Sequence, residues 1–180
     1  MTQLTKRYAA ALYGSAKAHE DTEKVLHDLE TVSYVFNESQ DLRTLINDPG
    51  YEDEQRRKVL EALFKDKTEP ETMQFLMLLL KEKRLAYLNN IKADYTSFYN
   101  EDHNILEMTV ITAADASPEM MKLITDKFSR KYNAAETVVT AEADPSLIGG
   151  AVVIVGDTRY DGSVKARIRK LKSVMEEESV

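Results

Sequence analysis

The chain has 180 residues, 43% of them hydrophobic, a formal net charge of −7 and no cysteine. This is enough for one moderate domain or two small ones with real cores. The acidic balance disfavours a protein that acts mainly by neutralising phosphates, and the lack of cysteine excludes disulfides, thiolate catalysis and Cys-based metal centres. No stretch reaches the roughly 18 apolar residues of a spanning helix and no signal peptide is predicted, so we expect a soluble protein whose membrane link runs through partners.

The first 65 residues are patterned as four helices. From Thr5 to about His19, small and aromatic residues recur on one helical face. Apolar residues at steps of four, three and four from Val25 to Phe36 predict a second, amphipathic helix. A short helix over 41–47 follows, ended by the Asp-Pro-Gly turn at 48–50. A fourth helix is predicted over 52–64, where acidic residues precede an apolar stripe.

The fifth helical segment is apolar almost all round. It opens at Pro70 and runs through MQFLMLLLKEK, in which Phe75 to Leu80 are nearly all apolar. Such a helix must be buried on most sides. The pattern alone favours a central helix of a bundle, and the alternative is that one side lines a groove for another chain. A sixth helix is predicted from Arg84 to about Asn100.

The hydrophobic period changes near residue 104. Alternation in ILEMTVIT (105–112) predicts a strand, and Ser117-Pro118-Glu119 is typical of a helix start, here continuing to about Tyr132. Further strands are predicted at 137–141, 151–155 and 158–160, and a last helix over 163–177. The sequence thus predicts an α+β fold. A six-helix N-terminal bundle (1–103) precedes a small C-terminal domain (104–180) with a short β-sheet and helices on one side of it.

No motif for catalysis, cofactor binding or metal binding is recognised. Gly149 and Gly150 run into the strand AVVIV without the Lys of a phosphate-binding loop, so they are interpreted as a bend entering the sheet. The three histidines form no ligand pair. No nucleophile elbow is present, and carboxylates occur on every helix, so no catalytic pair stands out. We therefore expect a non-enzymatic protein.

The last predicted helix is basic on one face. Apolar residues are interleaved with five basic ones, which is typical of a solvated helix face or of a surface for an acidic partner. The basic residues are Lys165, Arg167, Arg169, Lys170 and Lys172. A regulatory module that binds nucleic acid through this helix is the main alternative, and it predicts a steep salt dependence. An uncharacterised hydrolase is a more distant alternative, which requires a cleft with perturbed carboxylates.

Three motifs, in order, resemble one family along essentially the whole chain. RYAAALY begins at Arg7, LLLKEKRLAYL spans 78–88, and LIGGAVVIVGDTRYDGSVKARIRKL spans 147–171. They resemble the delta subunit of bacterial F-type ATP synthase, the counterpart of the mitochondrial oligomycin-sensitivity-conferring protein. The resemblance implies a non-catalytic stator subunit that ties the catalytic head to the peripheral stalk, so that the head does not turn with the rotor.

The resemblance also implies partners at both ends of the chain. A groove between the first and fifth helices is expected to take the N-terminal helix of an alpha subunit, using Tyr8, Ala11, Leu12, Ser15, Gln74, Leu78 and Lys81. The C-terminal domain is expected to engage the C-termini of the stalk's b subunits near Ile148, Val152, Ile168 and Leu171. The family requires no cofactor and no nucleic acid, and it implies a peripheral place at the cytoplasmic face of the bacterial membrane.

Overall fold

A computed structural model of the chain describes residues 3–48, 50–114 and 116–177, with the side chains of 47 and 171–177 outside the description. The described residues contain eight α-helices and a four-stranded sheet, so the α+β class is confirmed. The chain divides into two compact units, residues 1–99 and 100–180. The elements in chain order are α1 (Gln3–Ala18), α2 (Thr22–Glu38), α3 (Gln40–Asn47), α4 (Asp53–Phe64), α5 (Pro70–Lys81), α6 (Leu88–His103), β1 (Ile105–Thr112), α7 (Pro118–Tyr132), β2 (Glu136–Ala143), β3 (Ala151–Val155), β4 (Thr158–Asp161) and α8 (Val164–Glu177).

Local sequence signals explain three of the helix starts in the first unit. Ser39 accepts a hydrogen bond from the backbone N–H of Leu42 at the start of α3, and Glu52 with Gln55 forms a capping box at α4. Pro70 opens α5, where its missing N–H costs nothing. The predicted sixth helix begins differently, because residues 85–87 form a 3-10 turn before α6.

The core of the first unit is built from one stripe of each of its helices. Val25, Leu29 and Val32 of α2 are fully buried, which confirms the stripe predicted from their spacing. Leu76 and Leu79 of α5 and Tyr95 of α6 are equally buried. The buried Tyr95 hydroxyl donates to the backbone oxygen of Thr22 at 3.0 Å, and burial is the main cause of its raised pKa.

The second unit is a sheet of order β2-β1-β3-β4, in which β1 and β2 run parallel and the other pairs antiparallel. The α7 crossover between the two parallel strands packs on one face, with Phe128 against Leu106, Met108 and Val110. Strand alternation points Val152 to the opposite face, where it is also fully buried.

Gly150 ties the start of β3 to the entry of α8. Its φ is +83°, and a Cβ there would lie 2.6 Å from the backbone oxygen of Gly162 and 2.9 Å from Cα of Ser163. Two backbone hydrogen bonds hold this close approach: Gly162 N–H to Ala151 O at 2.9 Å and Val164 N–H to Gly149 O at 3.0 Å. Only glycine fits this position without strain.

Gly150→Ala is expected to lower the free energy of unfolding of the second unit by about 2 kcal/mol or more, since it combines backbone strain with a steric overlap. Gly149→Ala is the matched control, because the nearest atom to its Cβ, a Val164 methyl, lies at an ordinary 3.4 Å. Denaturant unfolding monitored by hydrogen exchange of β3 amides measures both variants. Equal stability of the two contradicts this role of Gly150.

Candidate functional site

Helices α1 and α5 lie side by side and run antiparallel. The rings of Tyr8 and Phe75 meet edge-on with centroids 6.3 Å apart. Towards the end of α1, Ser15 borders the same hollow as Glu71 in the first turn of α5. Arg84, just beyond the end of α5, donates a hydrogen bond to the Tyr8 hydroxyl near the start of α1. The end of α1 therefore lies beside the beginning of α5.

A groove of about 490 Å³ separates the outward faces of these two helices. On α1, Ala9, Leu12 and Ala16 are buried in the core, and the outward-facing Ala11 and Ser15 are small. On α5, Phe75 and the 44% exposed Leu78 give an apolar part of the wall, next to the polar Glu71 and Gln74. The lining residues are Arg7, Tyr8, Ala11, Leu12, Ser15, Glu71, Gln74, Phe75 and Leu78.

Tyr8 is held in place at one end of the groove. The guanidinium of Arg84 donates from Nη1 to the Tyr8 hydroxyl at 2.5 Å, and its carbon lies 5.3 Å from the centre of the ring. Together with the edge-on contact to Phe75, these interactions fix both the hydroxyl and the ring. The groove is thus bordered by an aromatic side chain with a defined orientation.

A buried carboxylate fixes the other end. Asp28 of α2 accepts hydrogen bonds from the backbone N–H of Glu69 at 2.7 Å and from the Thr72 hydroxyl at 2.8 Å. These bonds satisfy donors at the first turn of α5, where a negative charge also suits the helix dipole. Asp28 therefore sets where α5 begins, and with it the position of Glu71 in the groove.

Beyond that end the groove continues into a second hollow of about 440 Å³, which shares Ser15, Glu71 and Gln74 with it. The ammonium of Lys24 lies 2.5 Å from Asp21 and 3.9 Å from Glu69. The hydrogen bond to Asp21, followed by attraction to both carboxylates, raises the pKa of Lys24. The remaining lining residues of this hollow are His19, Asp21, Glu69 and Pro70.

The structure brings six of the seven residues predicted for the groove to its lining: Tyr8, Ala11, Leu12, Ser15, Gln74 and Leu78. Lys81, predicted with them, does not line it. Lys81 was expected there from the resemblance, whereas the groove in the structure also includes Glu71, nearer the start of α5. Phe75 and Glu71 could have been found, since they lie three and seven residues before Leu78 on the same face.

The four residues predicted in the second unit have different surroundings. Ile148 is 76% and Ile168 56% exposed, whereas Val152 is fully buried in the unit's own core. The side chain of Leu171 lies outside the described residues. Ile148 precedes Gly149, whose carbonyl binds the backbone N–H of Val164, one helical turn before Ile168. We call Ile148, Val164 and Ile168 the C-terminal apolar patch.

The entry to α8 is fixed by a polar turn. Asp161 Oδ1 accepts from the Ser163 backbone N–H at 3.0 Å, and the buried Ser163 accepts from Ala166 N–H at 3.1 Å. Hydrogen bonding from Ser163 is the main reason that the pKa of Asp161 is lowered. Asp161 also lies 3.7 Å from Arg169, one of the basic residues of α8. The DGSV segment therefore serves to start this helix.

Across the described ranges, no group of three His, Asp or Glu residues is placed to hold a metal ion. In the same residues, no helix is both long and apolar enough to pass through a bilayer. The candidate binding surfaces are the groove between α1 and α5 and the C-terminal apolar patch.

Comparison with known proteins points to one family. Residues 4–175 match the family model described as ATP synthase delta (OSCP) subunit. The chain is 31% identical over 175 residues to ATP synthase subunit delta of Ruminiclostridium cellulolyticum, covering 97% of this chain and 99% of that one. It is 30% identical over 172 residues to the subunit delta of Clostridium botulinum strain Langeland, covering 96% of each.

A solved structure has the same fold. A chain of the Toxoplasma gondii mitochondrial ATP synthase hexamer superposes with a TM-score of 0.77 and 24% identity, over 97% of this chain and 98% of that chain. At this identity, the likeness concerns the fold.

Asp28→Ala is expected to lower the free energy of unfolding by about 2 to 3 kcal/mol, because it leaves the Thr72 hydroxyl and the Glu69 N–H without their acceptor. Glu30→Ala, at an exposed position of the same helix, is the control and should change stability by less than about 0.5 kcal/mol. Denaturant titration followed by circular dichroism compares the two. An Asp28 variant as stable as the control contradicts the anchoring role.

Proposed function

This chain belongs to the ATP synthase delta (OSCP) family, and we propose that it makes its two connections through the groove and the C-terminal apolar patch. As a member of that family it is a non-catalytic stator subunit, which links the F1 head to the peripheral stalk and resists rotation of the head. In this proposal the groove of the six-helix N-terminal bundle takes the N-terminal helix of an alpha subunit. The patch engages the C-termini of the b subunits.

The observation that carries the first connection is the uncovered side of α5. Leu78 is 44% exposed and Phe75 borders the groove, although the other leucines of the helix, Leu76, Leu79 and Leu80, are buried in the core. An incoming amphipathic helix buries this side, and Ala11 and Ser15 on the facing helix let its backbone approach closely. From Arg7 to Ser15 the α1 wall is about 12 Å long at 1.5 Å per residue, enough for about two turns of a docked helix.

The second connection is supported by the exposure of large aliphatic side chains just before β3 and in the first turns of α8, two segments that the Val164 N–H to Gly149 O hydrogen bond joins. Ile148 and Ile168 are each more than half exposed, and Val164 between them is 38% exposed. Charged residues surround them on α8, where Lys165, Arg167, Arg169 and Lys170 are all exposed. An apolar centre with a basic rim fits an amphipathic partner that carries acidic residues.

A stator needs slow dissociation at both ends, because torque acts on each contact for as long as the rotor turns. Nanomolar affinity corresponds to about 12 kcal/mol, which a buried helix-in-groove contact can provide. The two surfaces lie in different compact units, so each can be optimised for its own partner. The proposal places the chain at the cytoplasmic face of the bacterial membrane, held there only through the complex, without cofactor or nucleic acid.

Leu78→Asp is expected to weaken binding of a peptide with the first 20 or so residues of the organism's alpha subunit by about 10- to 100-fold, since it puts a charge into the apolar wall. Calorimetric titration of the full chain measures this, and wild-type binding should show a negative heat-capacity change. Leu123→Asp, at a position 72% exposed in the second unit, is the matched control. Unchanged affinity in a folded Leu78 variant contradicts docking of the peptide in this groove.

Ile168→Asp is expected to weaken binding of the C-terminal part of the b subunit by about ten-fold or more while leaving the alpha peptide unaffected. Leu78→Asp should do the reverse, so each variant serves as the other's control. Sedimentation of the full chain with each partner measures both. Loss of both partners with a single variant contradicts the assignment of separate surfaces.

A further inference from the structure

The groove differs in charge between its two ends. Arg7 lines the end at the start of α1, and Arg84 sits on Tyr8 there. At the other end Glu71 borders both hollows, next to Asp21 and Glu69. Lys24 pairs with those last two carboxylates, and His19 is the other ionisable side chain lining this end. Of the three carboxylates that line this hollow, Lys24 therefore pairs with two, and Glu71 is the third.

Glu71 is the carboxylate that Lys24 leaves unmatched. Its Oε1 is buried and has no hydrogen-bond partner within the described part of the chain. The N-terminus of its own helix offsets part of the cost of this charge. A buried oxygen without a donor still costs free energy, so an occupant that supplies donors there is favoured. Because the half-buried side chain borders both hollows, rotation about its bonds can present the carboxylate to such an occupant.

Building on the proposed function, we propose that Glu71 sets the direction of the docked helix, whose amino-terminal end lies over Glu71 and whose carboxyl-terminal end lies at Arg7. The first N–H groups of a helix have no partners within it and carry the positive end of its dipole, so they match Glu71. The last carbonyls carry the negative end and match Arg7. The docked helix accordingly runs antiparallel to α1 and parallel to α5.

The absence of cysteine from the chain makes this direction measurable. Lys17→Cys and Lys81→Cys place single spin labels beside the two ends, at exposed positions that do not line the groove. A peptide with the first 20 or so residues of the alpha subunit carries a second label near its amino terminus. Pulsed electron paramagnetic resonance on the full chain then measures the two distances. The label at 17 should be closer to the peptide label than that at 81, because position 81 lies ten residues, about 15 Å of helix, beyond Glu71.

A charge variant tests Glu71 itself. Glu71→Gln should weaken peptide binding about three- to ten-fold and make it less sensitive to salt, because it removes charge and keeps shape. Glu30→Gln removes an exposed carboxylate from α2 outside the groove and should change neither. Equal affinity and salt dependence in the Glu71 variant and wild type overturn the role of Glu71.

The outcomes separate this inference from the function on which it rests. Tight binding with the peptide's amino-terminal label closer to position 81 overturns the direction and leaves the groove as the docking site. Failure of the folded wild-type chain to bind the peptide at all overturns both. Binding that Leu78→Asp weakens by about 10- to 100-fold, combined with the expected distances, supports both.

Discussion

The pairing of α1 with α5 is the contact on which the surface of the N-terminal unit depends. Each helix gives one side to the same core, through Leu12 and Ala16 of α1 and Leu76 and Leu79 of α5. The outward faces of the two helices remain uncovered, with the small Ala11 and Ser15 on α1 and the apolar Phe75 and Leu78 on α5. Apolar surface on a helix that its own chain leaves exposed favours binding of another chain, because removing that surface from water lowers the free energy. Asp28 and Arg84 keep the two ends of this surface in position.

In the C-terminal unit, backbone geometry determines how the sheet connects to α8. The chain passes from the edge strand β4 directly into α8. At this connection Gly150 closely approaches the backbone of Gly162 and Ser163. Asp161 and Ser163 then supply the acceptors that start the helix. This arrangement presents Ile148 beside the first turn of α8 while Val152, four residues later, is buried. Two nearby residues of one motif therefore have different roles, because Ile148 lies at the surface and Val152 packs in the core.

Much of this fold could be predicted from the sequence, because helical and strand periodicities are local properties. The stripe of α2, the strand β1 and the Ser117-Pro118 start of α7 follow from spacing and capping chemistry alone. The 3-10 turn at 85–87 could not, since it depends on how Leu85 reaches the core. The groove was expected from the resemblance, and the place of Glu71 in its lining follows from the tertiary placement of α1 beside α5. For the same reason, sequence could not separate the buried Val152 from the exposed Ile148.

The central claim is that one chain holds the head and the stalk at the same time. Sedimentation velocity of the full chain, mixed with the alpha N-terminal peptide fused to a bulky carrier and with the C-terminal part of the b subunit, tests it directly. The account predicts a ternary complex in which each partner binds as tightly as it does alone. Competition between the two partners, or a ternary complex that does not form at concentrations where both binary complexes do, contradicts it.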